Sequence, residues 1–251
     1  RSVSRGLGDV YKRQDIETVT ITIADVNDQT PSYASADTTP DVNEDQTQVE
    51  VVAITDSDTN DVNACTLTGA DKSLFTCTVT ATQYTLSFTS TQNYESPSDA
   101  DNDRVYIVAV SISDGVNTGT TISYQVSLAD VDEFDVSTPT DTDNTANTVA
   151  EDIANDQTVG ITASASDADG TTNTVTYTVN SQSCSGALQI SDSSSGVVTV
   201  ADTTALDREA GETCTVTIRA TSTDGSTADQ TFTLTLTDVD ESDVTTPTDS
   251  D

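Results

Sequence analysis

The sequence predicts an all-β protein made of β-sandwich domains in tandem, and three observations carry that prediction. Apolar residues alternate with Thr, Ser and Gln in many short runs, the period-two pattern of half-buried strands. No stretch shows helical periodicity. A third signal is repetition. The strings "ADVNDQTP", "ADVDEFDVSTP" and "TDVDESDVTTP" are headed by Asp25, Asp130 and Asp238, spaced 105 and 108 residues apart. A period of that length is too long for a solenoid repeat and suits whole domains.

The strands follow in order. Val19, Ile21 and Ile23 alternate with Thr, as do Tyr84, Leu86 and Phe88; Ile122, Tyr124, Val126 and Leu128; Val175, Tyr177 and Val179; and Phe232, Leu234 and Leu236. Alternation puts the apolar set on one face and the hydroxyl and amide side chains on the other. Threonine on an exposed strand face is a good β-former. About seven strands per hundred residues, with turn signals every ~8–12, indicates a sandwich.

Each unit also repeats an internal order of acidic marks. An early pair comes first ("VNEDQT", "VAEDIAND"), then a strand ending in spaced acids ("VAITDSDTND", "ITASASDADG"). A later segment reads "QNYESPSDADNDRVYIVAVSISDG" in one unit and "TALDREAGETCTVTIRATSTDG" in the other. We divide the chain accordingly: 15–28, the last strand and linker of a preceding repeat; 29–133 and 134–241, two repeats; 242–251, the start of a further linker. The first fourteen residues hold four of the eight basic residues and a single acid, Asp9. They are read as a non-native leader rather than a basic arm and are left out of fold reasoning. With no initiator Met and no visible signal peptide, the chain reads as an internal fragment of a longer protein.

With 43 acidic against 8 basic residues, the net charge is −35. That argues against nucleic acid, whose phosphates require Lys and Arg, and against an anionic membrane surface. No apolar run is long enough to cross a bilayer. His is absent, so no Ser–His–Asp or Cys–His pair exists. No phosphate loop is present, and the carboxylates repeat with the domains rather than marking one glycosidase-like site. The chain is therefore expected not to be an enzyme.

What the acids would do follows from their placement. A head-to-tail junction between the two complete units would gather Glu44, Glu95, Asp130, Asp132, Asp167 and Asp169. Two carboxylates 4 Å apart repel by about 1–4 kcal/mol, depending on the local dielectric, and no base is positioned to relieve this. A hard divalent cation would. Ca²⁺ accepts six to eight oxygens in flexible geometry, whereas Mg²⁺ demands a tighter octahedron. The carboxylate-only donor set argues against Zn²⁺. Asp and Asn also favour turns, and an acidic excess fits salt adaptation. Neither reason places acids at equivalent positions in successive units.

These motifs resemble cadherin repeats. "DVNDQTP" is similar to the inter-repeat linker, "LDRE" (Leu206–Glu209) to the motif before the penultimate strand, and "DADG" to the paired-aspartate motif. Glu44 and Glu151 stand where cadherins keep an early glutamate. "NYESPSDADND…VSISDG" resembles cadherin-like repeats of large bacterial surface proteins. The resemblance covers residues 15–251. It implies seven-stranded Greek-key, immunoglobulin-like sandwiches with Ca²⁺ between repeats. It further implies that Glu44, Glu95, Asp130, Asp132 and Glu133 of one repeat face Asp167 and Asp169 of the next. Asp25, Asn27 and Asp28 would face Asp56 and Asp58. Glu151, Asp207, Glu209, Asp238, Asp240 and Glu241 would form the outgoing set of the second repeat. Asn93 replaces the aspartate equivalent to Asp207. Asp114 and Asp224 lie two positions beyond the usual late-strand aspartate, on the same strand face, and are expected to substitute for it. One or two ions per junction, rather than three, are expected.

Cys184 and Cys214 are expected to form a disulfide. Cys65 and Cys77 are either a second disulfide or buried thiols. "DADND" at 99–103 begins like an EF-hand loop, but Arg104 stands at its glycine position and Val110 at its glutamate position, so it is not one.

The expected function is a Ca²⁺-rigidified stalk of a bacterial surface or secreted adhesin, extracellular, with neighbouring repeats and calcium ions as partners and other surface proteins or glycans as further ones. Homophilic adhesion is a rival. A carbohydrate-binding module is the other, and it would need an aromatic platform from such residues as Tyr33, Tyr94 and Tyr106.

Overall fold

The computed structural model describes residues 18–58 and 63–240. Its first unit has eight strands: β1 (Ser32–Tyr33), β2 (Asp41–Asn43), β3 (Gln48–Thr55), β4 (Ala64–Thr68), β5 (Phe75–Val79), β6 (Gln83–Phe88), β7 (Val105–Ser113) and β8 (Ile122–Ala129). They form two sheets, ordered β1-β3-β6-β5 and β2-β8-β7-β4. The second unit has β9 (Thr140–Asp141), β10 (Thr148–Ala150), β11 (Thr158–Ser164), β12 (Thr176–Gln182), β13 (Leu188–Gln189), β14 (Val197–Val200), β15 (Thr213–Thr221) and β16 (Thr227–Thr237). Its sheets, β9-β11-β14-β13 and β10-β16-β15-β12, repeat the first unit's order strand for strand.

In both units the first strand is split. Its opening half pairs with one sheet (β1 with β3, β9 with β11), and its second half crosses to run parallel to the last strand of the other. Val42 stands opposite Leu128 and Val149 opposite Leu236 in those parallel pairs. Counting the split strand once, each unit is a seven-stranded sandwich of immunoglobulin-like form. This topology has a consequence for function: the last strand and the early Glu44 or Glu151 are brought to the same pole of the unit.

The cores follow the predicted alternation. Tyr84, Leu86 and Phe88 on β6, Tyr106, Val108 and Val110 on β7, and Tyr124 and Val126 on β8 are buried between the first pair of sheets. Phe75 stacks on Phe88 with ring centroids 4.6 Å apart, and Phe88 meets Tyr106 edge-on. The hydroxyls of Tyr84 and Tyr124 satisfy each other at 2.5 Å inside this core. Burial, first of all, pushes both phenols above their ordinary range. The second core is aliphatic apart from Tyr177, built on Ile161, Val198, Val216, Ile218 and Leu234.

Both cysteine pairs are disulfide-bonded. Cys65 on β4 and Cys77 on β5 tie the two sheets together at a shared edge, with Cα atoms 6.1 Å apart. This settles between the two alternatives for that pair. Cys184, just beyond β12, is bonded to the buried Cys214 on β15.

One sequence expectation fails. Val19, Ile21 and Ile23 form no strand, and each is largely exposed. A strand exists only by pairing, and alternation alone supplies no partner. Residues 1–17, 59–62 and 241–251 lie outside the described residues, including the leader segment and Glu241.

Candidate metal centre

The early glutamate is the best-defined element. Glu44 is buried, and its two oxygens accept hydrogen bonds from Tyr94 N–H and Val131 N–H, both at 2.8 Å. The second unit repeats this: Glu151 accepts from Arg208 N–H at 2.6 Å and Val239 N–H at 2.8 Å. In each unit one carboxylate clamps the segment carrying the later glutamate to the segment leaving the last strand. It follows that Glu44, Glu95, Asp130 and Glu133 each place an oxygen within 4.8 Å of the others. Glu151, Glu209 and Asp238 do the same at the equivalent pole.

From the following unit, the paired aspartates reach back across the junction. Asp169 is buried, and one of its oxygens accepts from Glu133 N–H at 3.2 Å and Phe134 N–H at 3.1 Å. Asp169 N–H in turn donates to Asp167 Oδ1. Gly170 N–H donates to Glu95 Oε1 at 2.9 Å, and both the N–H and the hydroxyl of Thr171 donate to Asp130 Oδ2. Asp132, Asp169 and Asp224 form a second group with oxygens within 4.8 Å of one another.

The decisive feature is what remains unsatisfied. The other oxygen of each of Glu95, Asp130, Asp167 and Asp169 (Oε2, Oδ1, Oδ2 and Oδ2) is buried and accepts no hydrogen bond. A buried acceptor left unpaired costs about 1–3 kcal/mol, more when charged. Four at one junction, with no base among them, form a set of hard oxygen donors. The clusters could hold a cation, and their chemistry fits an alkaline-earth ion.

Protonation reflects the same crowding. Partial desolvation, then repulsion from Glu44, Glu95, Asp169 and Asp130, pushes Glu133 up to about 7. Glu95 is raised by desolvation and by its neighbour Asp130. Asp130 is lowered: desolvation opposes this, but the two Thr171 hydrogen bonds prevail. Asp132 is raised by desolvation and by Asp224 and Asp169, while Asp167 is lowered, the nearby Ser222 hydroxyl being the first cause.

The N-terminal side of the first unit reproduces the receiving half. Asp28 N–H and Gln29 N–H donate to Asp58 Oδ2 at 2.8 and 2.6 Å, and Asp58 N–H donates to Asp56 Oδ1. Asp56 Oδ2 is buried without a donor, as Asp167 Oδ2 is. Asn27 reaches the Asp114 carbonyl, and Asp114 Oδ1 accepts from Val116 and Asn117 N–H. Desolvation works against ionisation of Asp114, yet these hydrogen bonds hold its carboxyl below the ordinary range. Asp25 lies on the exposed stretch and joins none of the gathered groups. In the other two cases the two glutamates that face this aspartate come from earlier in the chain.

In the second unit's outgoing set, Asp207 and Asp240 stand apart from the gathered groups. Asp207 is absent from the gathered set, and its Oδ1 accepts from Ala210 N–H. Asn93 Oδ1 likewise accepts from Ser96 N–H, so the turn is kept with Asn in place of Asp. Asp240 is exposed and likewise outside the gathered groups. Reading the sequence did not identify Thr171 or the exact need for Gly170. A Cβ on Gly170 would collide with the Tyr94 ring and sit 2.9 Å from Glu95 Oε1. The glycine that closes "DADG" was the available signal.

The described tyrosines supply no binding platform. Tyr106 is fully buried, the Tyr33 hydroxyl accepts Ile112 N–H, and the Arg104 guanidinium covers Tyr94 at 4.4 Å. No described helix is long and apolar enough to cross a membrane.

Comparison of the sequence with family models and with curated proteins returns no match. Solved structures do match. The protocadherin gammaB7 EC3-6 cis-dimer structure aligns over 86% of this chain at 20% identity, TM-score 0.58. Mouse cadherin-23 EC22-24 aligns over 85% at 20% identity, TM-score 0.64. Drosophila N-cadherin EC1-4 aligns over 83% at 16% identity, TM-score 0.63. The chain spans 52%, 68% and 50% of those structures, respectively. All three are cadherin or protocadherin structures. Together with the strand order, they establish that this chain has the cadherin-like all-β sandwich fold.

Proposed function

We propose that this chain is a calcium-binding structural segment of a bacterial surface or secreted adhesin, with repeats at 29–133 and 134–241 made stiff by Ca²⁺ at their junction. The observation that carries the reading is the set of buried, donorless oxygens on Glu95, Asp130, Asp167 and Asp169, two residues from each unit. Glu44, Glu95, Asp130 and Glu133 would hold one ion, and Asp132, Asp169 and Asp224 a second, with Asp167 beside them. An ion there neutralises the mutual repulsion and couples the pole of one sandwich to the next. Asp56, Asp58, Asn27 and Asp28, and at the far end Glu151, Glu209 and Asp238, would serve further junctions of the same kind, Asp240 and Glu241 extending the latter. Two disulfides fit an oxidising, extracellular setting, where Ca²⁺ is millimolar and modules binding at about 10⁻⁴–10⁻³ M are filled.

The test is small-angle scattering of residues 29–241 with Ca²⁺ and with chelator, alongside calorimetric titration. The reading expects heat of binding and a longer, narrower particle with Ca²⁺. An unchanged maximum dimension without binding heat would end it. Sedimentation separates a stalk, which stays monomeric, from homophilic adhesion, which self-associates with Ca²⁺. The carbohydrate-binding alternative lacks an aromatic platform among the described residues.

A further inference from the structure

The first unit carries a cluster that the junction does not use. Between β6 and β7, the run Asp99-Ala100-Asp101-Asn102-Asp103 brings three carboxylates together, with one oxygen from each within 4.8 Å of the others. Asp101 and Asp103 are exposed, but Asp99 is only 4% exposed. Its Oδ2 accepts Asp103 N–H at 2.8 Å, whereas its Oδ1 is buried and accepts nothing. A carboxylate oxygen withdrawn from water beside two further acids, with no donor, is the arrangement that a cation completes.

The loop is held in shape from outside the cluster. Buried Asp71 accepts Ala100 N–H and Ile107 N–H, both at 2.7 Å, which pins the chain within the run and after it. Asp103 Oδ1 accepts Val105 N–H. Asn102 and Arg104 take left-handed backbone at φ of 60° and 68°. Arg104 therefore makes the sharp turn for which an EF-hand uses glycine. Its side chain is directed elsewhere: Nε donates to the Tyr94 carbonyl, and the guanidinium lies over the Tyr94 ring. It forms no ion pair with the three aspartates; the ion pairs among the described residues are Arg208–Glu212 and Arg219–Asp229.

We infer that Asp99, Asp101 and Asp103 form a second type of cation site, a Ca²⁺ loop inside the first unit and independent of the inter-unit junction. It is not an EF-hand. Val110, at the position of the twelfth-residue glutamate, is buried in β7, and the loop leads into a strand. The remaining coordination positions fall to water. The second unit has no counterpart, since "REAGE" there connects directly to β15. The ion would fix the entry into β7, the strand that carries Tyr106, Val108 and Val110 into the core.

The test is Ca²⁺ titration of the full chain by calorimetry, comparing the parent with Asp101→Asn/Asp103→Asn. Both replacements keep an oxygen acceptor at exposed positions. The variant is expected to bind one Ca²⁺ fewer per chain while retaining the junction ions. Asp132→Asn should instead weaken the junction and leave the loop ion in place. An unchanged ion count and affinity in the loop variant would overturn the inference. Amide NMR on the parent is the second readout, independent of any variant. Ca²⁺-dependent shifts at residues 99–105 are expected, and their absence at saturating Ca²⁺ also overturns it.

Discussion

Asp130, at the exit of the first sandwich, accepts both the backbone N–H, at 2.7 Å, and the hydroxyl of Thr171 in the second. One oxygen of this carboxylate is spent on joining the units, and the other is buried and bare. Asp130→Asn removes the charge while keeping an acceptor for Thr171. Calorimetry should show Ca²⁺ affinity falling about tenfold or more, equivalent to ~1.4 kcal/mol. In chelator the variant should melt at or above the parent, because repulsion has been relieved.

Gly170 tests the junction without touching charge. A Cβ at Gly170 would collide with the Tyr94 ring, over which the Arg104 guanidinium lies. Gly170→Ala should push the second unit away from Glu95. The expected result is weaker Ca²⁺ uptake and a broader distribution of interparticle shapes in scattering, with the melting of each sandwich unchanged.

Glu44 and Glu151 have a structural duty that does not depend on any ion. Each accepts two backbone N–H groups, one from the segment carrying the later glutamate and one from the segment leaving the last strand. Glu44→Gln turns a donor toward one of those N–H groups. Urea unfolding in chelator should register a loss of about 1–3 kcal/mol in the first unit, with Glu151→Gln doing the same in the second.

Protonation of Glu133 links the junction to pH. Its folded carboxyl titrates near 7 against an ordinary value of 4.5. The folded chain therefore binds more protons than the unfolded chain between those values. Without cation, stability should fall as pH rises from about 4.5 through 7. Saturating Ca²⁺, which favours the ionised form, should reverse or flatten that slope. Thermal melts across this range in chelator and in Ca²⁺ check the sign, and Glu133→Gln should remove its contribution.

The disulfides close loops of different length, with sequence separations of 12 and 30. By chain entropy, loss of Cys65–Cys77 should cost about 3 kcal/mol and loss of Cys184–Cys214 about 4 kcal/mol. Separate double Cys→Ala variants, followed by chemical denaturation, measure each.

Much was legible in the sequence because it is local. Alternation at Tyr84, Leu86 and Phe88 fixes which side chains face inward, since strand geometry turns successive residues to opposite faces. The recurrence of "DVND" and "DVDE" marked the period, and the spacing of Asp167 and Asp169 marked a receiving loop. Other features were set only by tertiary contacts. The sequence alone could not show that Val19, Ile21 and Ile23 have no partner strand among the described residues, because pairing is a property of two segments. It could not separate Asp207, which caps a turn, from Glu209, which joins a cluster, two positions apart. The bare oxygen of Asp99 was equally hidden. Burial and the direction of backbone N–H groups come from the packed chain, and those decide which carboxylates are satisfied by the protein and which are left open to an ion.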